Sequence, residues 1–230
     1  MRMNSWRKFR MRSRQRCERI HVAAMTYHFV LCNKDFLMKR FSIFAVIAAA
    51  LALAACAPLV TQNPGGSISP ANVVALDGND RVMLKGADVV AYFTQNAYVQ
   101  GTPTIKSEYQ KITFYFSSVE HKTLFDKEPT KYLPLYGGFC ANGVSYGIPW
   151  GGDADTWRIF DGKLHIFGGA QSRDAFLLDV PNNRQLAEKY WNEEVKGSNA
   201  LVQRSKRMLF KVPHYKSDAD VAAEIAKAKK

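Results

Sequence analysis

"YQKITFYFSSVEHKTLF" (Tyr109–Phe125) changes its periodicity halfway along, and that change decides the fold. Its first part, with "TIKSEYQ" (104–110) before it, alternates and is rich in β-branched and aromatic residues. This pattern predicts two strands, 104–110 and 112–117, joined as a hairpin near Gln110-Lys111. Ser117-Ser118-Val119-Glu120 then fits a capping box, with Ser117 at the N-cap and Glu120 three positions on. A helix is expected from there to about Lys127, and Pro129 ends it or opens a further turn. A hairpin running straight into a helix gives a mixed α+β class.

Outward from this stretch, the signals agree. On the C-terminal side, "YGGFCANGVSYGIPWGGD" (136–153) is too rich in glycine for a regular helix. "TWRIFDGKLHIF" (156–167) is a second hairpin, since Asp161-Gly162 favours a type I′ turn between alternating strands. His165 lies between Leu164 and Ile166, so it is expected to face away from them, toward solvent. Helices should follow, with Phe176, Leu177, Val180, Leu186, Tyr190 and Trp191 on their apolar faces, and Ser217-Asp218-Ala219-Asp220 caps a last one. On the N-terminal side, "GADVVAYF" (86–93) is a short apolar element of about one helical turn. "APLVTQNPGGSISPAN" (57–72) is a flexible tether by composition. The expectation is a small domain of two β-hairpins with flanking helices over 76–195, a tether over 56–75, and a basic extension with a helix over 196–230.

Residues Met38–Cys56, "MKRFSIFAVIAAALALAAC", carry a different kind of message. Lys39 and Arg40 precede the fifteen uncharged residues Phe41 to Ala55. A basic start, an apolar centre and small residues at the exit make an export signal over 38–55. The apolar part is short of the roughly 20 residues that a membrane span needs. "LAAC" at 53–56 resembles the bacterial lipobox, which implies a lipidated Cys56 holding the chain to a bilayer by its acyl groups. Met38 is then the expected start, with residues 1–37 a leader or a basic arm. Ala57, rather than an aspartate, follows the lipid cysteine, which points to the periplasmic side of the outer membrane more than the inner.

This reading redistributes the charge. The chain carries +12 overall. Nine basic and two acidic residues fall in 1–37, and residues 56–230 hold 21 basic against 18 acidic, a net of +3. No nucleic-acid partner is expected from so small an excess. Of four cysteines, Cys17 and Cys32 belong to the leader and Cys56 to the lipid. Cys140 is left alone in an oxidising compartment, where a lone thiol is buried, ligated or reactive.

"GADVVAYF", "YQKITFYFSSVEHKTLF", "PTKYLPLYGGFCANGV" and "TWRIFDGKLHIF", in this order and spacing, resemble the YHS domain family in its exported bacterial branch, over about residues 78–192. The resemblance implies a small α+β unit, in a family often linked to metal handling, copper or zinc among others. Metal-binding members carry Asp-Pro-Val-Cys and then Phe-Cys-Ser-x-x-Cys. Their three cysteines fall here on Ala91, Ser117 and His121, so two thiolates are replaced by groups that bind soft metals poorly or not at all.

Four residues are candidates for a ligand site: Cys140, His121, Tyr136 and Trp150, with Cys140 and His121 the candidate metal ligands for copper or zinc. Each has a structural alternative. Cys140 can be a small buried hydrophobe, His121 a hydrogen-bonded histidine on the inner side of its helix, and the aromatics plain core. No third group is placed by the sequence to orient Cys140 and His121 as nucleophile and base, although Asn142 and Asp155 are available, and no enzyme is expected. The expectation is a non-enzymatic binding protein for a metal or small ligand near Cys140. The alternative is a structural or protein-interaction module of the envelope. Residues 195–216 hold six Arg/Lys and no Asp/Glu, either a solvated face or a surface for anionic headgroups.

Overall fold

The computed structural model describes residues 68–228. The signal, Cys56 and most of the tether lie outside them. The fold is α+β: a four-stranded sheet, a two-stranded sheet, and helices around and after them.

Among the described residues, three hairpins supply six strands. β1 (Val73–Leu76) and β2 (Asn79–Met83) are antiparallel, as are β3 (Thr102–Tyr109) and β4 (Ile112–Phe116), and β5 (Asp153–Phe160) and β6 (Lys163–Phe167). β2 and β4 run parallel, giving the order β1-β2-β4-β3. Each hairpin closes through two residues with positive φ: Asp77-Gly78, Gln110-Lys111 and Asp161-Gly162. Such turns match the twist of the strands they join. The second and third are the two expected hairpins. The first carries the same Asp-Gly signal, at Asp77-Gly78. β1 also falls within the expected tether, so the domain begins before residue 76.

The helices are α1 (Ala91–Thr94), α2 (Val119–Lys127), α3 (Pro129–Tyr132), α4 (Ala141–Val144), α5 (Ala170–Leu177), α6 (Val180–Tyr190), α7 (Ala200–Leu209) and α8 (Asp218–Ala228). α2 is capped by Ser118, whose Oγ accepts from His121 N at 3.1 Å. The expected cap, Ser117, is therefore corrected by one residue. The Ser117 side chain is drawn instead to a buried carboxylate, Asp88.

Two apolar cores meet at β6. The first holds Val90, Tyr92, Ile112, Phe114, Phe116, Phe125, Leu164 and Ile166. Phe125 is its centre, with the rings of Phe114, Phe116 and Tyr109 at 4.7, 5.2 and 6.3 Å. The second holds Tyr136, Phe139, Val144, Phe167 and Phe176. Alternate residues of β6 enter opposite cores, so the strand has no solvent face. That overturns the expected exposure of His165, which is wholly buried among Tyr136, Phe160 and Phe176. Alternation reports which side a residue faces, not whether that side is wet.

The His165 Nδ1–H donates to the Lys163 carbonyl at 3.0 Å, and Nε2 has no partner among the described residues. Burial disfavours the charged ring and pushes its pKa from 6.5 down to about 4. Above about pH 6.5 both folded and unfolded chains keep it neutral. As pH falls toward 4, the unfolded chain takes up a proton that the folded chain refuses, so stability should fall by roughly 3 kcal/mol. Urea titrations across this range are expected to show that slope, and His165→Leu is expected to flatten it.

Candidate functional site

The expected site residues divide between two places, one on each core. The first is built on Asp88. Its carboxylate is fully buried and meets five donors. Oδ1 accepts from Val90 N at 3.0 Å and Ala91 N at 3.3 Å, which starts α1. Oδ2 accepts from Ser117 N at 2.8 Å, Ser117 Oγ at 2.6 Å and His121 Nδ1 at 2.7 Å. A carboxylate that satisfies this many donors ties three chain segments at one point: α1, the end of β4, and α2. On its other side, His121 Nε2 lies 3.1 Å from Thr94 Oγ1, which is also 3.1 Å from the Val90 carbonyl.

Carboxylate, imidazole and hydroxyl in a row are the parts of a nucleophile relay, and here each also has a structural task. Asp88 caps one helical turn and fixes the strand–helix junction. The Thr94 hydroxyl is shared with a carbonyl of its own helix. His121 is buried, as expected of a histidine on the inner side of α2, and its partner is a carboxylate rather than a backbone carbonyl.

The same geometry tests the metal that the YHS resemblance implies. Ala91, Ser117 and His121 do converge, all three bonded to Asp88. Ala91 offers no donor atom, Ser117 Oγ is engaged, and both His121 nitrogens have partners. Among the described residues, no group of three or more His, Cys, Asp or Glu is placed to hold a metal. These residues do not fit copper or zinc, because Ala91 has no side-chain donor and the donors of Ser117 and His121 are committed to Asp88 and Thr94.

The second place is built on Cys140, and His121 is not part of it. The chain reaches Cys140 through a left-handed turn, Tyr136-Gly137-Gly138, with φ of 55°, 60° and 76°. A side chain on Gly137 would fall 2.4 Å from the Pro70 carbonyl oxygen, so close approach as well as φ requires glycine there. Asn72 locks the turn: its amide donates to the Gly138 and Gly152 carbonyls at 3.0 and 2.9 Å. Cys140 then pairs with Ile166 of β6 and caps α4, its Sγ accepting from Gly143 N at 3.4 Å. Sγ also lies 3.0 Å from Ser172 Oγ of α5.

Cys140 is 3% exposed and forms the floor of a cavity of about 320 Å³. Tyr146, Trp150 and Tyr215 supply aromatic wall, and Ser172, Gln171 and Lys216 polar groups. Trp150 can approach because Gly143 has no side chain: a Cβ there would lie 2.9 Å from the indole. Burial pushes the Tyr146 phenol pKa above its ordinary value. The roof comes from the C-terminal segment, through Tyr215, Lys216, Asp218 and Val221. Gln171 Nε2 donates to the Asp218 carbonyl at 3.0 Å, and the His214 Nε2–H to the Ser145 carbonyl at 2.9 Å. The stretch read as an extension is thus a wall of this site.

Of the four candidates, Cys140 and Trp150 share the cavity, whereas Tyr136 sits in the second core, its ring 5.8 Å from Trp191. Asp88, Ser172 and the C-terminal roof were not singled out from the sequence. Asp88 had one visible signal, a lone acid in the apolar run 86–93. The roof had none, because only the tertiary fold brings residues 215–221 over Cys140. Comparison with protein-family models, with curated proteins and with solved structures gave no match.

Two outcomes follow from this geometry. Asp88→Ala would strand buried amides and His121 together, so a loss of about 3–5 kcal/mol is expected in chemical denaturation. Cys140 should resist maleimide in the native state and react once denaturant opens the chain, as measured by intact mass over time.

Proposed function

We propose that the chain is a lipid-anchored envelope protein, with a YHS-like domain that binds a small organic ligand in the Cys140 cavity without turning it over. The observation that carries this reading is the cavity itself. Its volume lies at the lower end of ligand pockets, and its lining sets three aromatic rings against a larger polar surface from Asn142, Gln171, Ser172, Lys216 and Asp218. Trp150 lines the cavity and is 42% exposed, a large apolar ring outside either core. Lys216, bonded to Glu224 at 2.6 Å, and Ser172 offer donors to a polar substituent. The chemistry favoured is a small ring compound with one or two polar groups, rather than the copper or zinc ion that the family resemblance implied.

The resemblance draws support from Asp88, which gathers the three positions where metal-binding members carry cysteine. The anchor rests on the signal and "LAAC" ending at Cys56, and with it the periplasmic location, at the outer membrane before the inner. The near-complete burial of Cys140 favours a second reading, an interaction module of the envelope in which the thiol is only core.

Mass spectrometry of the full chain, purified from its native membrane, separates these readings. The expected denatured mass is that of a chain beginning at an acylated Cys56. Under native conditions a discrete small-molecule adduct is expected, and Ser172→Trp, which fills the cavity, should abolish it. A chain without adduct supports the interaction module, a bound metal restores the metal reading, and an unacylated chain that retains residues 1–55 removes the anchor.

A further inference from the structure

α7 is packed with the opposite polarity to an ordinary surface helix. Its inner side is polar. Gln203, buried, donates to the Gly147 carbonyl at 2.9 Å and to Glu194 Oε2 at 3.0 Å. Arg204 Nε donates to the Pro149 carbonyl at 2.6 Å, and Arg207 forms an ion pair with Glu194, which Lys206 joins at 3.1 Å. Its outer side is apolar: Leu201, Val202, Met208, Leu209 and the following Phe210 are all exposed, the last two by 78% and 69%. A helix normally turns its apolar stripe to the core. Here hydrogen bonds hold the helix to the domain, and the stripe faces out. Scattered apolar residues on a surface are unremarkable, but five on one helix and its end mark a contact surface.

We propose that this face lies in the headgroup region of the anionic bilayer to which the protein is anchored, with α7 parallel to the membrane plane. Two observations choose the bilayer over a protein. The first is charge. Of the six basic residues between Val195 and Lys216, Arg204 and Arg207 turn inward and Lys216 is paired with Glu224, whereas Lys206, which also reaches Glu194, and Lys211 are exposed beside the apolar side chains. An apolar face edged by cations is what an anionic interface takes up. A second copy docked through the same face would bring these cations against each other.

The second is where the chain enters the domain. The Ser69 carbonyl accepts from Gly197 N at 2.7 Å, three residues ahead of α7. Ser69, which follows Cys56 in the chain, is therefore held close to the start of α7. From Cys56 to Ser69 is only thirteen residues, a reach of at most about 45 Å. At ten residues, about 15 Å, α7 is too short to cross a membrane and long enough to lie in its surface. The orientation rests on the reading of Cys56 as the anchor; the affinity of the face for lipid does not.

The test therefore removes the anchor. The full chain carrying Cys56→Ser is mixed with vesicles of phosphatidylcholine and phosphatidylglycerol, and binding is read by flotation. The same chain with Val202→Glu, Leu209→Glu and Phe210→Glu is the comparison. The apolar stretch 41–55 is common to both, so their difference reads α7. At least about a tenfold loss of bound fraction is expected, with weaker binding of the parent to pure phosphatidylcholine or in high salt. Leu209→Ser with Phe210→Ser, which adds no charge, should also lose binding, and thermal melts should show all chains folded. Equal flotation of parent and variants, or none by either, overturns the proposal. So does a concentration-dependent dimer in sedimentation that the glutamate substitutions dissolve, which would assign the face to a second copy. None of these outcomes bears on acylation, which is settled by the mass of the native chain.

Discussion

The structure depends on β6 being buried on both sides. A five-residue strand with one partner is a weak element by itself. It gains its hold because Leu164 and Ile166 complete the first core while Phe167 completes the second. Everything that makes the candidate site hangs from it. Cys140 pairs with Ile166, and Gly168, just beyond the strand, lines the cavity. The cost of this arrangement is His165, a titratable ring with an unmet nitrogen in an apolar box. It has consequences only where protonation is demanded of it.

Asp88 performs the corresponding task for the first core. The elements around it arrive from separate parts of the chain, and none is long enough to be stable alone. One carboxylate with five donors fixes their relative positions. A metal bound by thiolates would do the same, with a larger share of the folding energy coming from the ion. Here Asp88 does this with hydrogen bonds alone, through Val90, Ala91, Ser117 and His121.

The α+β class, two hairpins, α2 and the last helix were legible because each is written locally. Period-two alternation, an Asp-Gly pair and a serine before an apolar run all act within ten residues. The cap of α2 was misplaced because Ser117 and Ser118 are chemically alike. The choice between them is made by Asp88, 29 positions away from Ser117. His165 was misread for a related reason, since a second layer over β6 has no local signature. In the candidate site, Cys140 and Trp150 were legible as a lone thiol and an aromatic in a glycine-rich loop. That His121 belongs to a different cluster, and Tyr136 to the core, depends on the way the loop turns at Gly137.

The cavity and α7 are built from the same segment, and this joins the two functional readings. Gln203 of α7 bonds to Gly147, and Arg204 to Pro149, in the loop that ends in Trp150. Past α7 the chain turns at Val212 and supplies Tyr215 and Lys216 to the roof. On the proposed orientation, the helix in contact with the bilayer is hydrogen-bonded directly to the loop that carries Trp150.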